Sequence, residues 1–198
     1  MEQLWVAMFT FAMIGALSPG PVNIVATSTS ANYGLKVALR YVVGASIAYA
    51  IIVFCSGSLL RLLASGIPNI AWLMKIVGTL FLLYLAKQIA FAPYQSIDSI
   101  SQDKAPKAWQ GAFLQCINPK AWLVAMSGIS LYVVDQPSSS IALLLFTLIS
   151  LVACLVGVAS WAFLGQAIRK ALQSEVKQTM FNWGMAGLLV VSIVSIWV

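Results

Sequence analysis

The sequence contains no histidine, and its five acidic residues, Glu2, Asp98, Asp103, Asp135 and Glu175, all lie at the ends of its long apolar runs or between them. Without imidazoles or clustered carboxylates there is no ligand set for a metal. The same shortage removes the base that a serine nucleophile needs, and a Ser-Lys pair would rest on Lys120 alone, so an enzyme is not expected. It also removes the buried carboxylates and histidines from which proton relays are built. Cysteine is scarce as well: Cys55, Cys116 and Cys154 fall in apolar runs, without metal-ligand or redox spacing, and read as inert core thiols. Charged residues make up only 8% of the chain against 61% hydrophobic ones, and the mean hydropathy of +0.94 lies far from that of a soluble domain. A cleavable leader is not expected either, because Met1-Glu2-Gln3 offers no basic n-region and leads into a long apolar segment.

What is abundant is apolar sequence. Runs long enough to cross a bilayer, roughly 20 residues or more, occur at residues 4–30, 37–63, 67–91, 108–134, 139–166 and 179–198. The expected fold is an all-α integral membrane protein of six transmembrane helices, a single membrane domain over residues 1–198. The longest polar stretch, residues 92–107, is too short to bury a core of its own.

The net charge of +6 would suggest nucleic acid in a soluble protein, but its placement points to the bilayer as partner instead. Lys36 and Arg40 flank the first connection, Lys87, Lys104 and Lys107 the third, and Arg169, Lys170 and Lys177 the fifth. The positive-inside rule then puts the odd-numbered connections in the cytoplasm and both termini outside. Arg61 and Lys75, beside the second connection, run against this bias and are expected to snorkel. Trp5, Trp72, Tyr132 and Trp197 fall near the outer ends of the spans, and Tyr33, Trp109, Trp161 and Trp183 near the inner ends, as an aromatic belt would place them.

Two proline-containing segments interrupt this apolar background: Leu17-Ser18-Pro19-Gly20-Pro21-Val22-Asn23, and Cys116-Ile117-Asn118-Pro119-Lys120-Ala121 about a hundred positions later. Proline lacks a backbone donor and clashes with the preceding turn, so each should break its helix. In a bilayer such breaks survive only where protein or a water-lined cavity satisfies the freed backbone groups. The chain divides into halves, 1–99 and 100–198, with three spans each and one break each. An odd number of spans makes homologous halves lie in opposite orientation, a 3+3 inverted repeat with broken helices 1 and 4, which is a plan of secondary transporters. Gly57 and Gly157 match at the same offset, and Gly78 and Gly184 sit in similar Leu-rich runs. Ala12 and Ala16, Gly44 and Ala48, and Gly157 and Gly165 have the spacing of close helix contacts.

The breaks also supply the chemistry. Helices starting after Pro21 and Pro119 would present unpaired amides and positive dipole ends to a carboxylate, while the carbonyls freed before Pro19 and Pro119 suit an ammonium. An amino acid satisfies both. Lys120 is the charge placed deepest in a span; it either snorkels or faces a polar cavity, where it would bind a carboxylate. Asn23 and Asn118 can donate and accept, and Ser18 and Gln115 add polar groups beside the breaks, although Asn before Pro is also an ordinary turn signal.

These residues resemble the LysE/RhtB family of amino-acid exporters, inner-membrane proteins of similar length. The resemblance is carried by Ser18-Pro19-Gly20-Pro21-Val22-Asn23, by Tyr33-Gly34 and Gly44, by Lys75-Ile76-Val77-Gly78 with Leu82-Leu83-Tyr84-Leu85-Ala86, and by Asn118-Pro119-Lys120. It implies export of amino acids or close derivatives across a bacterial cytoplasmic membrane, driven by the proton gradient and needing no cofactor. With no acid inside a span, any proton coupling would have to run through Lys120 or the substrate. Val22, where the family commonly has asparagine, and the stretch after Lys120 bring the chain nearer the neutral, cysteine-exporter-like branch than the lysine exporter. Expected substrates are therefore homoserine and threonine, or cysteine and O-acetylserine. A structural or assembly subunit, or a metal-ion permease of the wider superfamily, are the alternatives, and self-association is left open.

Overall fold

The computed structural model describes residues 2–63, 76, 79–80, 83–84, 86–87, 89–91, 106–134, 136, 138–172 and 174–197. Most of the third expected span and of the polar stretch after it, with Trp72, Lys75, Gly78 and Lys104, lies outside these residues. Seven α-helices carry the described chain: α1 (Glu2–Leu17), α2 (Pro21–Tyr33), α3 (Leu35–Leu63), α4 (Ala108–Cys116), α5 (Pro119–Tyr132), α6 (Ser139–Arg169) and α7 (Glu175–Trp197). The isolated residues described between 76 and 90 are helical too, and no strand occurs among the described residues.

Both proline-containing segments act where expected. The apolar run 4–30 becomes α1 and α2, bent by 60° across Ser18-Pro19-Gly20, and the run 108–134 becomes α4 and α5. Among the described residues two helices are by themselves long and apolar enough to cross a membrane, Leu35–Ser58 and Ser139–Arg169, and the bent pair adds a third when taken as one span. The first connection is shorter than the sequence suggests. Gly34 alone joins α2 to α3, at φ 93° and ψ 160°, a backbone region open essentially to glycine.

The two long helices show how the molecule meets its surroundings. On α3, Val43, Ile47, Ile51 and Phe54 form an exposed stripe, and on α6 Ile141, Leu144, Leu148, Val152 and Val156 do the same. The spacing of three and four residues makes each stripe one helix face. The faces opposite carry small and polar residues: Ala38, Ala45, Ser46 and Ser56 on α3, and Ser150, Ala153, Gly157, Ala162 and Gly165 on α6, all buried or nearly so. Apolar outside and small-to-polar inside is the distribution of a chain solvated by lipid.

Small residues decide which helices touch. A Cβ on Gly44 would collide with the Ala108 carbonyl, so α3 lies directly against the start of α4. Likewise Gly157 seats α6 on Ala16 at the end of α1, and Gly165 seats it on the Thr27 carbonyl of α2. Each long straight helix thus packs on the broken helix of the other half.

The helix at the centre is the unexpected one. Every residue of α2 from Pro21 to Asn32 is buried, although six of them, Asn23, Thr27, Ser28, Thr29, Ser30 and Asn32, are polar. Asn32 donates to the Asn182 side chain of α7 at 2.8 Å and accepts from Gln178 at 2.6 Å, which ties the two helices together by buried amides. Two expectations about single residues change. Cys55 and Cys116 are exposed on the apolar surface, and only Cys154 is a core thiol. Trp161 is not at the end of α6; it lies eight residues before Arg169, roughly 12 Å along a helix, beside the break in the first helix.

Candidate functional site

The two breaks are built alike. Pro21 and Pro119 each occupy the first helical position, where the missing N–H costs nothing and the fixed φ favours a helix start. Ahead of them, α1 and α4 end in carbonyls that have lost their helical partners. In both breaks the last helical carbonyl accepts from a tryptophan indole: Leu17 from Trp161 Nε1 at 3.1 Å, and Cys116 from Trp122 Nε1 at 2.7 Å.

At the first break every carbonyl can be accounted for. Ile14 takes the Ser18 N–H at 3.0 Å and Gly15 the Ser18 hydroxyl at 2.9 Å. The Asn23 amide spends its two hydrogens on the carbonyls of Ala16 and Ser18, both at 2.9 Å. The Ser18 carbonyl also accepts from Lys120 Nζ at 2.7 Å, and the Pro19 carbonyl from the same ammonium at 3.2 Å. Thr27 extends this support: its hydroxyl lies 2.9 Å from the Asn23 carbonyl and 3.0 Å from that of Trp161, and donates to one at a time.

The second break contributes the cation. Asn118 caps α5, its Oδ1 accepting from the Lys120 backbone N–H at 3.2 Å. That cap fixes the first turn of α5, from which the half-buried Lys120 side chain crosses to the first break. Gly20 makes room for it, since a Cβ there would stand 3.3 Å from Lys120 Nζ and 3.4 Å from its Cδ. Gly20 has extended backbone and, lacking a side chain, makes no cap bond to the start of α2.

Between the breaks lies a cavity of about 40 Å³. Asn23, Gln115, Asn118, Lys120 and Gly20 line one part of it, and Ala16, Val22, Ala121, Val124, Val158, Tyr49 and Cys154 make the rest small and largely apolar. Four of the five expected binding residues therefore meet around one space, contributed from both halves of the chain. Ser18 does not line it; its hydroxyl is used within α1 and only its carbonyl faces Lys120. Gln115 differs from its neighbours. It is buried, and its Oε1 has no hydrogen-bond partner among the described residues.

A family model described as LysE type translocator matches residues 13–194. The chain belongs to the LysE type translocator family. Among its relatives, the cysteine/O-acetylserine efflux protein of Salmonella choleraesuis (strain SC-B67) is 29% identical over 175 residues, 87% of each chain. Proteins of the same name from Klebsiella pneumoniae and Escherichia coli O1:K1 are 28% and 27% identical, over 93% of this chain and 92% of theirs. No solved structure matches it.

In this translocator two contributors to the site were not anticipated. The sequence puts Trp161 in an interfacial belt, yet its indole closes the end of α1; nothing in its sequence context distinguishes a belt tryptophan from one turned inward. The polar face of α2 did leave a signal, the run Thr27-Ser28-Thr29-Ser30 inside an apolar span, because polar side chains there must face protein rather than lipid.

Proposed function

We propose that this translocator is a secondary transporter that exports neutral amino acids or their derivatives, such as cysteine and O-acetylserine or homoserine and threonine, across the bacterial cytoplasmic membrane. The observation that carries this reading is the meeting of the two helix breaks around one cavity, with Lys120 and Asn118 from one and Asn23 and Gly20 from the other. The efflux relatives support the substrate class, and so does the lining, which holds a cation and amides but no carboxylate for a second positive charge. The Lys120 ammonium and the α5 start suit the substrate carboxylate, and Asn23, Gln115 and break carbonyls suit its amino group.

The transport plan we propose is six spans in a 3+3 inverted repeat with both termini outside. Supporting it are the paired features of the breaks, namely proline at the first helical position and an indole on the last carbonyl, and the crosswise packing of α3 on α4 and α6 on α1. Proton coupling, if the gradient drives export, runs through Lys120 or the substrate.

Cells overproducing the protein should accumulate one of these amino acids in the medium and tolerate an excess of it. Lys120→Ala removes a charge-assisted hydrogen bond of about 1.5–3 kcal/mol, so substrate affinity should fall roughly ten- to a hundredfold. Full export by Lys120→Ala would sink the carboxylate role. Purified protein that moves no amino acid in liposomes under a proton gradient would favour an assembly subunit.

A further inference from the structure

Lys120 is assigned above to the substrate carboxylate, yet in this structure its ammonium is already engaged by the carbonyls of Ser18 and Pro19. Those carbonyls are not equivalent. Ser18 has a second donor in Asn23 Nδ2, whereas the Pro19 carbonyl is bonded by Lys120 alone among the described residues. Pro19 O and one lone pair of Ser18 O therefore depend on a primary ammonium arriving from across the cavity. An unbonded carbonyl pair at a helix end is a place for an N–H donor with a positive charge.

The Lys120 ammonium occupies the place from which a substrate ammonium would reach both carbonyls. A substrate that uses them therefore requires Lys120 to move. Gln115 lines the same cavity, and its buried Oε1 has no hydrogen-bond partner among the described residues.

We propose that the Ser18 and Pro19 carbonyls are the ammonium subsite of the translocator, and that Lys120 fills it with its own ammonium until a zwitterion exchanges for it. In the exchange the substrate's ammonium takes the two carbonyls while its carboxylate takes the displaced lysine. Both charges are needed at once. An amine alone would expel Lys120 without giving it a partner, and a carboxylate alone would draw it away and leave the carbonyls bare. This assignment rests on the export reading for its substrate, but the subsite itself can be tested without transport.

The test uses the full-length protein in detergent. Lys120→Ala deletes the atoms from Cγ to Nζ, which n-propylammonium replaces. At tenfold excess over its dissociation constant, n-propylammonium should raise the Tm of Lys120→Ala by about 3–6 °C and leave the wild type unchanged. Propyltrimethylammonium, with the same charge and no N–H, should change the Tm of neither protein. Equal effects of the two cations on Lys120→Ala, or none from either on folded variant, would overturn the subsite. A competition measurement on the wild type stands independently of that variant's folding. Labelled O-acetylserine should be displaced by unlabelled O-acetylserine but not by a hundredfold excess of propionate or n-propylammonium; displacement by either single-charge analogue would overturn the exchange. If O-acetylserine does not bind while n-propylammonium rescues Lys120→Ala, the substrate reading fails and the ammonium subsite stands.

Discussion

At the scale of single residues, the protein depends on a few positions where chemistry leaves no substitute. Gly34 is one. It alone connects α2 to α3, and its φ of 93° with ψ of 160° lies where side-chain-bearing residues are strained by about 1–3 kcal/mol. A Cβ there would also stand 2.6 Å from Arg169 Nη1, though the tip of that flexible chain can withdraw. Gly34→Ala should therefore lower stability by about that strain, read as a fall in Tm of the detergent-solubilised protein; an unchanged Tm would show that the connection relaxes into another backbone region. Gly20 is constrained differently: its backbone is extended and any residue can adopt it, and what matters there is the space left for Lys120. Tyr33-Gly34 was visible in the sequence as part of a family pattern. The reason for the glycine, a positive φ in a one-residue connection, was not.

At the scale of elements, the break between α1 and α2 is held by donors that come from three other places. Asn23 reaches back from α2, Trp161 comes from α6, and Lys120 comes from α5. The sequence shows where the helix must stop, because proline acts locally. It cannot show who satisfies the carbonyls, because two of the three donors are about a hundred or more residues away. Trp161→Phe keeps an aromatic ring but loses the five-membered ring that carries the indole donor to Leu17, and should cost at least about 1 kcal/mol. Trp109, which is exposed, is the matched control: Trp109→Phe should change stability by no more than about 0.5 kcal/mol. Equal effects of the two substitutions on thermal unfolding would mean that the Trp161 N–H adds nothing measurable to stability.

At the scale of the whole molecule, an apolar surface surrounds an interior that is mostly apolar but takes in the polar residues of α2. The exposed stripes of α3 and α6 are continuous with a membrane environment, while the buried hydroxyls and amides of α2, α6 and α7 have nowhere to go but inward. Orientation is a separate question that packing does not answer. The basic residues around the first, third and fifth connections predict an outer C-terminus. Fusing alkaline phosphatase to the C-terminus should give an active enzyme, and a green fluorescent protein fusion there should stay dark. The opposite pair of results would invert the topology, and with it the direction from which each break is reached.

The sequence by itself determined what depends on near neighbours and on composition. An apolar chain with no acid inside its spans must be solvated by lipid, prolines at Pro19, Pro21 and Pro119 must interrupt their helices, and a deep cation must either snorkel or meet a polar cavity. Only the tertiary structure decided what holds it. Packing through Gly157, Gly165 and Gly44 brings the two breaks together, and in that arrangement Lys120 finds the carbonyls of Ser18 and Pro19. A charge buried among helices takes the strongest dipoles within its reach, and which dipoles those are depends on contacts a hundred residues apart along the chain.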